Sequence, residues 1–421
     1  MTIDLIVENG LLVFPEGVVK GDLAIEAGRI LAIGSSTAFP RAERKVDASG
    51  KFVLPGAIDT HTHFELPFMG ETPPETWEQG TIAASFGGTT TVLDFVIQDK
   101  GGKLMDAVRA KVERAGKLAR VDFSLHGCFT DFSDIRSVVA EVKEAVEYGI
   151  SSFKEFMIYK KQGWQIDDWN LHIVLREAQK YGAIVGVHAE NASIGESMID
   201  KCLEEGKVEP VYHALSKPNF VEEEAIQRAV GIAKFACARL YIVHMSTKEG
   251  VPLVRAARAA GLPVYSETCT HYLTLTDDVY RKPDGINFIL SPPLRKKEDA
   301  EALWHGLDEG SVSMVGSDHV AYTSDQKKKH SKTFAEVPNG APGVELRLPI
   351  VYSEGVQKRR LSLPRLVEVC STNAAKMFGI YPRKGTLMPG SDADVVVLDP
   401  KLEKTIRAGD LHMGSDYTMF E

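Results

Sequence analysis

No two cysteines of this chain share a C-x-x-C spacing. There are five in 421 residues, Cys128, Cys202, Cys237, Cys269 and Cys370. An odd, scattered set excludes a disulfide framework and a thiolate zinc site, and fits a reducing cytoplasm. No run of about 18 apolar residues is present, so no membrane span is expected. The opening Met1-Thr2-Ile3-Asp4 carries an acid early and lacks a basic stretch ahead of an apolar run, so no secretory leader is expected. Basic charge is short as well: 49 Lys and Arg face 58 Asp and Glu, a net charge of -9, which argues against a nucleic-acid partner. Also missing are a G-x-S-x-G elbow, the mark of an acyl-enzyme serine hydrolase, and any low-complexity segment or internal repeat.

What is present is a globular balance, 44% apolar and 25% charged, in a chain long enough for one large domain and a smaller one. The first fifty residues contain short strand-like runs, Asp4–Val7, Leu23–Ile25 and Ile30–Ile33, punctuated by turns at Asn9-Gly10 and Ala27-Gly28. Ala393–Leu398 resembles them, so residues 1–52 and 385–421 are expected to pair into one small β-sandwich domain. Between them, over residues 53–384, apolar strand candidates alternate with helices. The strands are Phe52–Ile58, Thr89–Phe95, Val121–Phe129, Ser151–Met157, Ala183–His188, Leu240–His244, Pro263–Thr268 and Ser313–Gly316. The helices include Leu104–Leu118, Ile135–Tyr148, Trp169–Tyr181, Glu222–Phe235, Lys248–Ala260 and Glu298–Leu307. Eight such units predict an α/β fold, a (β/α)8 TIM-like barrel with its chemistry at the C-terminal strand ends. A doubly wound sheet would need a glycine-rich phosphate loop after its first strand, and none follows.

The strand ends carry the chemistry. The first ends in Asp59-Thr60-His61-Thr62-His63, where His61 and His63, two apart on a strand, point the same way and can share one metal. A lone H-x-H equally describes two polar residues at the start of a loop. Further strands end in His188, in His244, and in Asp318 followed by His319. Each alone suits a satisfied core histidine or a helix cap; together they gather at one barrel mouth. Lys154 lies inside an apolar strand, where an ammonium is costly to bury. Either it snorkels or pairs with an acid, or its neutral amine takes up CO2 as a carbamate.

In order, Pro55-Gly56-Ala57-Ile58-Asp59-Thr60-His61-Thr62-His63, Ser152-Phe153-Lys154-Glu155-Phe156-Met157-Ile158-Tyr159-Lys160, His188-Ala189-Glu190-Asn191, Ile242-Val243-His244, Ser291-Pro292-Pro293-Leu294-Arg295, Gly316-Ser317-Asp318-His319 and Pro338-Asn339-Gly340-Ala341-Pro342-Gly343 span nearly the whole chain. This set resembles the dihydropyrimidinase and hydantoinase branch of the amidohydrolase superfamily. The resemblance implies two divalent cations, zinc first, with manganese, cobalt or nickel also suited to such donors. His61 and His63 would hold one, with Asp318; His188 and His244 the other; N6-carboxylated Lys154 would bridge them. A metal-bridging hydroxide would open a dihydropyrimidine or hydantoin ring to an N-carbamoyl amino acid. Asp318 would move the proton, Tyr159 would polarise the carbonyl, and backbone groups of Ser291 and Asn339 would hold the ring amides. Loops near Leu66, Phe95 and Phe156 would line an apolar wall, unless these residues only pack the rim. The implied partners are a small cyclic amide or imide and further copies of the chain, as a tetramer or dimer.

Two departures from the family stand out. Its members typically continue past Glu421 with further strands and a tail, and an apolar residue is usual where Glu155 stands. Strand alternation turns Glu155 away from the metals. Allantoinase and dihydroorotase share much of the site, but Glu65, at the place of an arginine common in dihydroorotases, would repel an acidic substrate. A non-catalytic scaffold of the family would have lost ligands that this chain keeps. His319 is a candidate to orient Asp318, and Lys327-Lys328-Lys329 is expected to be a solvated face.

Overall fold

A computed structural model describes residues 2–421. The N-terminus forms one long strand, β1 (Thr2–Phe14). The expected turn at Asn9-Gly10 is instead a bulge within it. Asn9 takes a φ of 66°, the register shifts between Val7 and Gly10, and the Asn9 amide is satisfied by Asp22 Oδ1 at 2.7 Å. Ala27-Gly28 does turn the chain. With φ of 50° and 71° it makes the two-residue loop whose twist suits the hairpin of β2 (Gly17–Glu26) and β3 (Arg29–Gly34). Strands β4 (Arg41–Asp47) and β5 (Phe52–Pro55) run parallel to β1. Period-two alternation sends Leu23 and Ile25 to one side of the sheet and Ala24 to the other, each into buried apolar company.

The expected strand Phe52–Ile58 divides at Gly56. Its first half, β5, belongs to the small sheet; its second half opens the barrel as β6 (Ala57–Thr62). A Cβ at residue 56 would lie 2.0 Å from Thr90 Oγ1, so only glycine lets the backbone cross between the two sheets here. The barrel continues through β7 (Thr89–Ile97), β8 (Asp122–Cys128), β9 (Ser152–Phe156), β10 (Ile184–His188), β11 (Leu240–Ile242), β12 (Val264–Cys269) and β13 (Met314–Gly316), in consecutive order and parallel. The last strand, β14 (Val395–Leu398), returns to the small sheet, antiparallel to β5. Both ends of the chain thus meet in six strands.

Six helices stand where the sequence pattern places them: Leu104–Leu118, Ile135–Tyr148, Asp168–Lys180, Asn219–Ala236, Gly250–Ala259 and Lys297–Glu309. Asp134 and Asp167 cap two of them by accepting backbone amides of the first turn. A helix that the pattern does not reveal, Trp77–Phe86, follows β6. Its buried face includes Gly80 and Thr81, and its outer face mixes Ile82 and exposed Phe86 with Glu78, Gln79 and Ser85, so no clean apolar stripe gives it away.

Two devices close the barrel. At the mouth, Thr62 pairs with His319 in parallel, through His63 N to His319 O at 3.0 Å and His319 N to His61 O at 3.3 Å. At the other end, fully buried Arg347 faces Asp59 of β6 at 3.4 Å and donates to Val315 O of β13 at 2.9 Å and Thr89 Oγ1 of β7 at 3.1 Å. One guanidinium therefore clamps the first, second and last staves. Removing one partner of a buried ion pair costs about 3–5 kcal/mol. Arg347→Leu should lower the unfolding free energy obtained from urea titration by an amount in that range, and an unchanged value would refute the clamp.

Candidate metal centre

Strand ends β6, β9 and β10, with the segments after β11 and β13, aim His61, His63, Lys154, His188, His244 and Asp318 into one cavity at the barrel mouth. Tyr159, Ser291 and Asn339 line the same cavity. One ring nitrogen of His61, one of His63 and a carboxylate oxygen of Asp318 lie within 4.8 Å of one another. Asp318 Oδ1 is 3.1 Å from both His61 Nε2 and His63 Nε2. Across the cavity the rings of His188 and His244 are 4.4 Å apart by their centroids, and His244 is 5.3 Å from His61. All six sequence-predicted ligands are thus brought together, with the two histidine pairs as neighbours.

Lys154 is 1% exposed, and its amine rests on the faces of Phe95 and Phe156, 4.9 and 4.7 Å from the ring centres. Burial pulls its ammonium down to about 8, so a neutral amine is accessible near neutral pH. Lys154 faces the cavity and Glu155 does not, as strand alternation requires. Glu155 is nonetheless fully buried, and burial pushes its carboxyl well above the usual carboxylate range, so it sits there protonated. Burial also pulls His63 and His188 down to about 4, against the hydrogen bond each donates to a carboxylate. For Asp318 burial opposes ionisation, but the surrounding histidines outweigh it and hold the carboxyl well below its ordinary range. Tyr159 is pushed far up, first by burial and then by Glu190, which keeps its phenol protonated.

Three cavity residues, Tyr159, His244 and Asp318, take left-handed backbone conformations with φ of 67°, 37° and 48°. Such strain in non-glycine residues concentrates where surrounding structure overrides local preference, typically at functional sites.

Behind the ligands stands a layer of acids that the sequence reading did not assign. Glu267, inside β12, accepts from His61 Nδ1 at 2.7 Å, from the His244 amide at 3.3 Å, and from the hydroxyls of Thr60 and Tyr241. Glu190 accepts from His188 Nε2 at 2.6 Å. Such outer partners fix which imidazole nitrogen faces inward. The signal for Glu267 was the same one that exposed Lys154, a charged residue within an apolar strand.

Four expectations change. His319 does not orient the Asp318 side chain: its ring pairs with Glu75 at 2.5 Å and accepts the Gly343 amide at 3.0 Å. Phe95 lies beneath His61 and His63, 4.6 and 4.8 Å from their rings, and does not line the cavity; Leu66 and Phe156 do, joined by Phe68, Trp164 and Tyr322. Glu65 also stays outside it, its carboxylate gripped by Arg114 at 2.9 and 3.1 Å, so repulsion from Glu65 cannot exclude an acidic substrate. Lys328 and Lys329 are exposed as expected, but Lys327 is buried and donates to Ile289 O at 2.6 Å.

The sequence pattern of the Amidohydrolase family matches residues 52–420, and the chain belongs to that family, whose fold houses a binuclear metal centre. Among its relatives, D-hydantoinase of Ralstonia pickettii is 41% identical over 421 residues, covering 99% of this chain and 91% of the relative. D-hydantoinase of Geobacillus stearothermophilus is 40% identical over 420 residues, 99% of this chain and 88% of the relative. The crystal structure of dihydropyrimidinase from Brevibacillus agri superposes with a TM-score of 0.96 at 40% identity, over 99% of this chain and 90% of that one.

Other buried histidines give the metal-free protein an acid limb. Burial pulls His126 and His213 down to about 3 and His271 to about 4, from an ordinary 6.5. Unfolded, each binds its proton at higher pH than when folded, so stability is lost as pH falls from about 6.5 towards 4. Urea unfolding of chelator-treated protein should show the midpoint dropping across that interval; a flat profile would mean these rings are not buried as described.

Proposed function

We propose that this chain is a metal-dependent cyclic amidohydrolase that opens dihydropyrimidine or hydantoin rings to N-carbamoyl amino acids. The observation that carries it is a buried lysine among four histidines and an aspartate at one barrel mouth, in a chain about 40% identical to proteins named for that reaction. The side chains fit two divalent cations. His61 Nδ1 is taken by Glu267, and its Nε2, 3.1 Å from Asp318 Oδ1, is buried without a hydrogen-bond partner, the condition of a nitrogen reserved for another ligand. In this reading His61, His63 and Asp318 hold one cation, and His188 and His244 hold the other. Lys154, as N6-carboxylysine, would supply an anionic oxygen donor to them. Zinc suits the donor set best, and manganese, cobalt and nickel are compatible with it. Bound there, the cations supply a Lewis acid for the scissile carbonyl and acidify the attacking water.

The chain's own groups do the rest. Asp318, held ionised, accepts the proton of the attacking water and delivers it to the departing ring nitrogen. Tyr159, held protonated, donates to the carbonyl oxygen as negative charge develops on it. Backbone groups of Ser291 and Asn339 hold the ring amides, while Leu66, Phe68, Phe156 and Trp164 form an apolar wall for the ring substituent. Five free cysteines suit a cytoplasmic enzyme. Among the described residues no helix is long and apolar enough to cross a membrane. Division into a barrel near residues 53–384 and a β domain from both ends, and assembly as a dimer or tetramer, belong to the same reading.

Lys154→Ala should lose bound metal and ring-opening activity together, by more than the roughly 100-fold typical of an outer-layer residue. Metal analysis alongside rates on dihydrouracil and substituted hydantoins checks it; full activity in the variant would refute the assignment. Among the described residues no arginine lines the cavity to receive a substrate carboxylate, so dihydroorotate should not be turned over, and efficient hydrolysis of it would move the chain to the dihydroorotase reading.

A further inference from the structure

Behind the cavity wall that carries Ser291, four buried side chains converge. Glu190 Oε2 accepts from His188 Nε2 at 2.6 Å, from Ser291 Oγ at 2.7 Å and from Lys217 Nζ at 3.2 Å. Lys217 Nζ also donates to Ser291 Oγ at 2.6 Å. Lys217 and Glu190 are 3% and 0% exposed, so this ion pair is shielded from water on all sides. Lys217 is itself anchored, its carbonyl accepting from the Arg295 guanidinium.

The same wall is gripped at its two preceding residues. Leu290 O accepts from His213 Nε2 at 2.7 Å, and Ile289 O accepts from Lys327 Nζ at 2.6 Å and from the Gly340 amide at 3.2 Å. Two lysines and a histidine thus hold three successive residues. The Gly340 contact ties this segment to the one bearing Asn339.

The geometry points to Lys217 as a positioning residue that serves both halves of the reaction centre. Through Glu190 it keeps the proton of His188 on Nε2 and leaves Nδ1 for the cavity. Through Ser291 Oγ it fixes the backbone edge offered to the ring. This rests on the proposed roles of His188 and Ser291. Neither effect requires Lys217 to touch substrate: it lies outside the cavity lining. Without the ammonium, Glu190 would be a buried charge lacking its counter-ion, and the His188 hydrogen bond would lose its fixed acceptor.

Three variants test this: Lys217→Met, Ser291→Ala and His188→Ala. For each, zinc affinity is measured by chelator competition, and kcat and KM for dihydrouracil are measured separately. Lys217→Met should weaken one of the two zinc sites by roughly 10- to 100-fold, the range for an outer-layer residue, and raise KM as well. Ser291→Ala, which keeps the Lys217–Glu190 pair, should raise KM roughly three- to tenfold, the size of one hydrogen bond, with zinc affinity as in the wild type. Wild-type zinc affinity and KM in Lys217→Met would overturn the inference. Should circular dichroism show Lys217→Met unfolded, an unchanged KM in Ser291→Ala overturns it instead. His188→Ala should lose one zinc. If it binds two as the wild type does, the ligand assignment above fails, a result distinct from failure of the Lys217 role.

Discussion

The centre depends on how the barrel closes. Two backbone hydrogen bonds, from the His63 amide to His319 O and from the His319 amide to His61 O, join the first stave to the segment after the last. That pairing sets His61 and His63 opposite Asp318, residues more than 250 positions apart in sequence. On the far side of the mouth, β9, β10 and β11 run side by side and deliver Lys154, His188 and His244 in chain order. Where the chain leaves a strand at the rim it bends sharply, and the left-handed conformations of Tyr159, His244 and Asp318 fall there. A rigid cylinder makes such strain sustainable, because strand pairing and core packing fix the residues on either side.

Burying this much polarity is costly unless each group has a partner. The protein meets the cost in two layers. Glu267, Glu190 and Glu75 stand behind His61, His188 and His319 and accept one ring nitrogen of each. Asp59, further down, is clamped by Arg347. Each of these outer carboxylates thus has a partner within the chain, whereas the inner nitrogen of His61, Nε2, has no hydrogen-bond partner. A cavity whose histidines are held from behind while His61 Nε2 stays open is suited to receive cations, as the proposed function requires.

Much of this was legible in the sequence because it repeats locally. Eight apolar runs alternate with helices, and His61, His63, Lys154, His188, His244 and Asp318 all lie within or just past such runs, so position along a strand translates into position at the mouth. What failed to show was set by tertiary contact. The bulge at Asn9-Gly10 looks like a turn until Asp22 is seen to satisfy its amide. The break at Gly56 is dictated by Thr90, a neighbour on another strand. Lys327 shares a charged run with two solvated lysines, yet its helix turns it inward to Ile289. Glu65 carries the charge expected of it, but Arg114, distant in sequence, takes that charge away from the cavity. The Glu190–Lys217–Ser291 cluster draws on three separate segments and leaves no periodic trace.

The central claim is that the six side chains at the barrel mouth grip two neighbouring cations, with Lys154 between them as a carbamate. Anomalous scattering at the zinc edge, from crystals grown with zinc and bicarbonate, addresses it most directly. Two peaks should appear, one beside His61 and His63 and one beside His188 and His244, with electron density extending from Lys154 Nζ to both. A single peak, or two peaks with a bare lysine pointing past them, would contradict it.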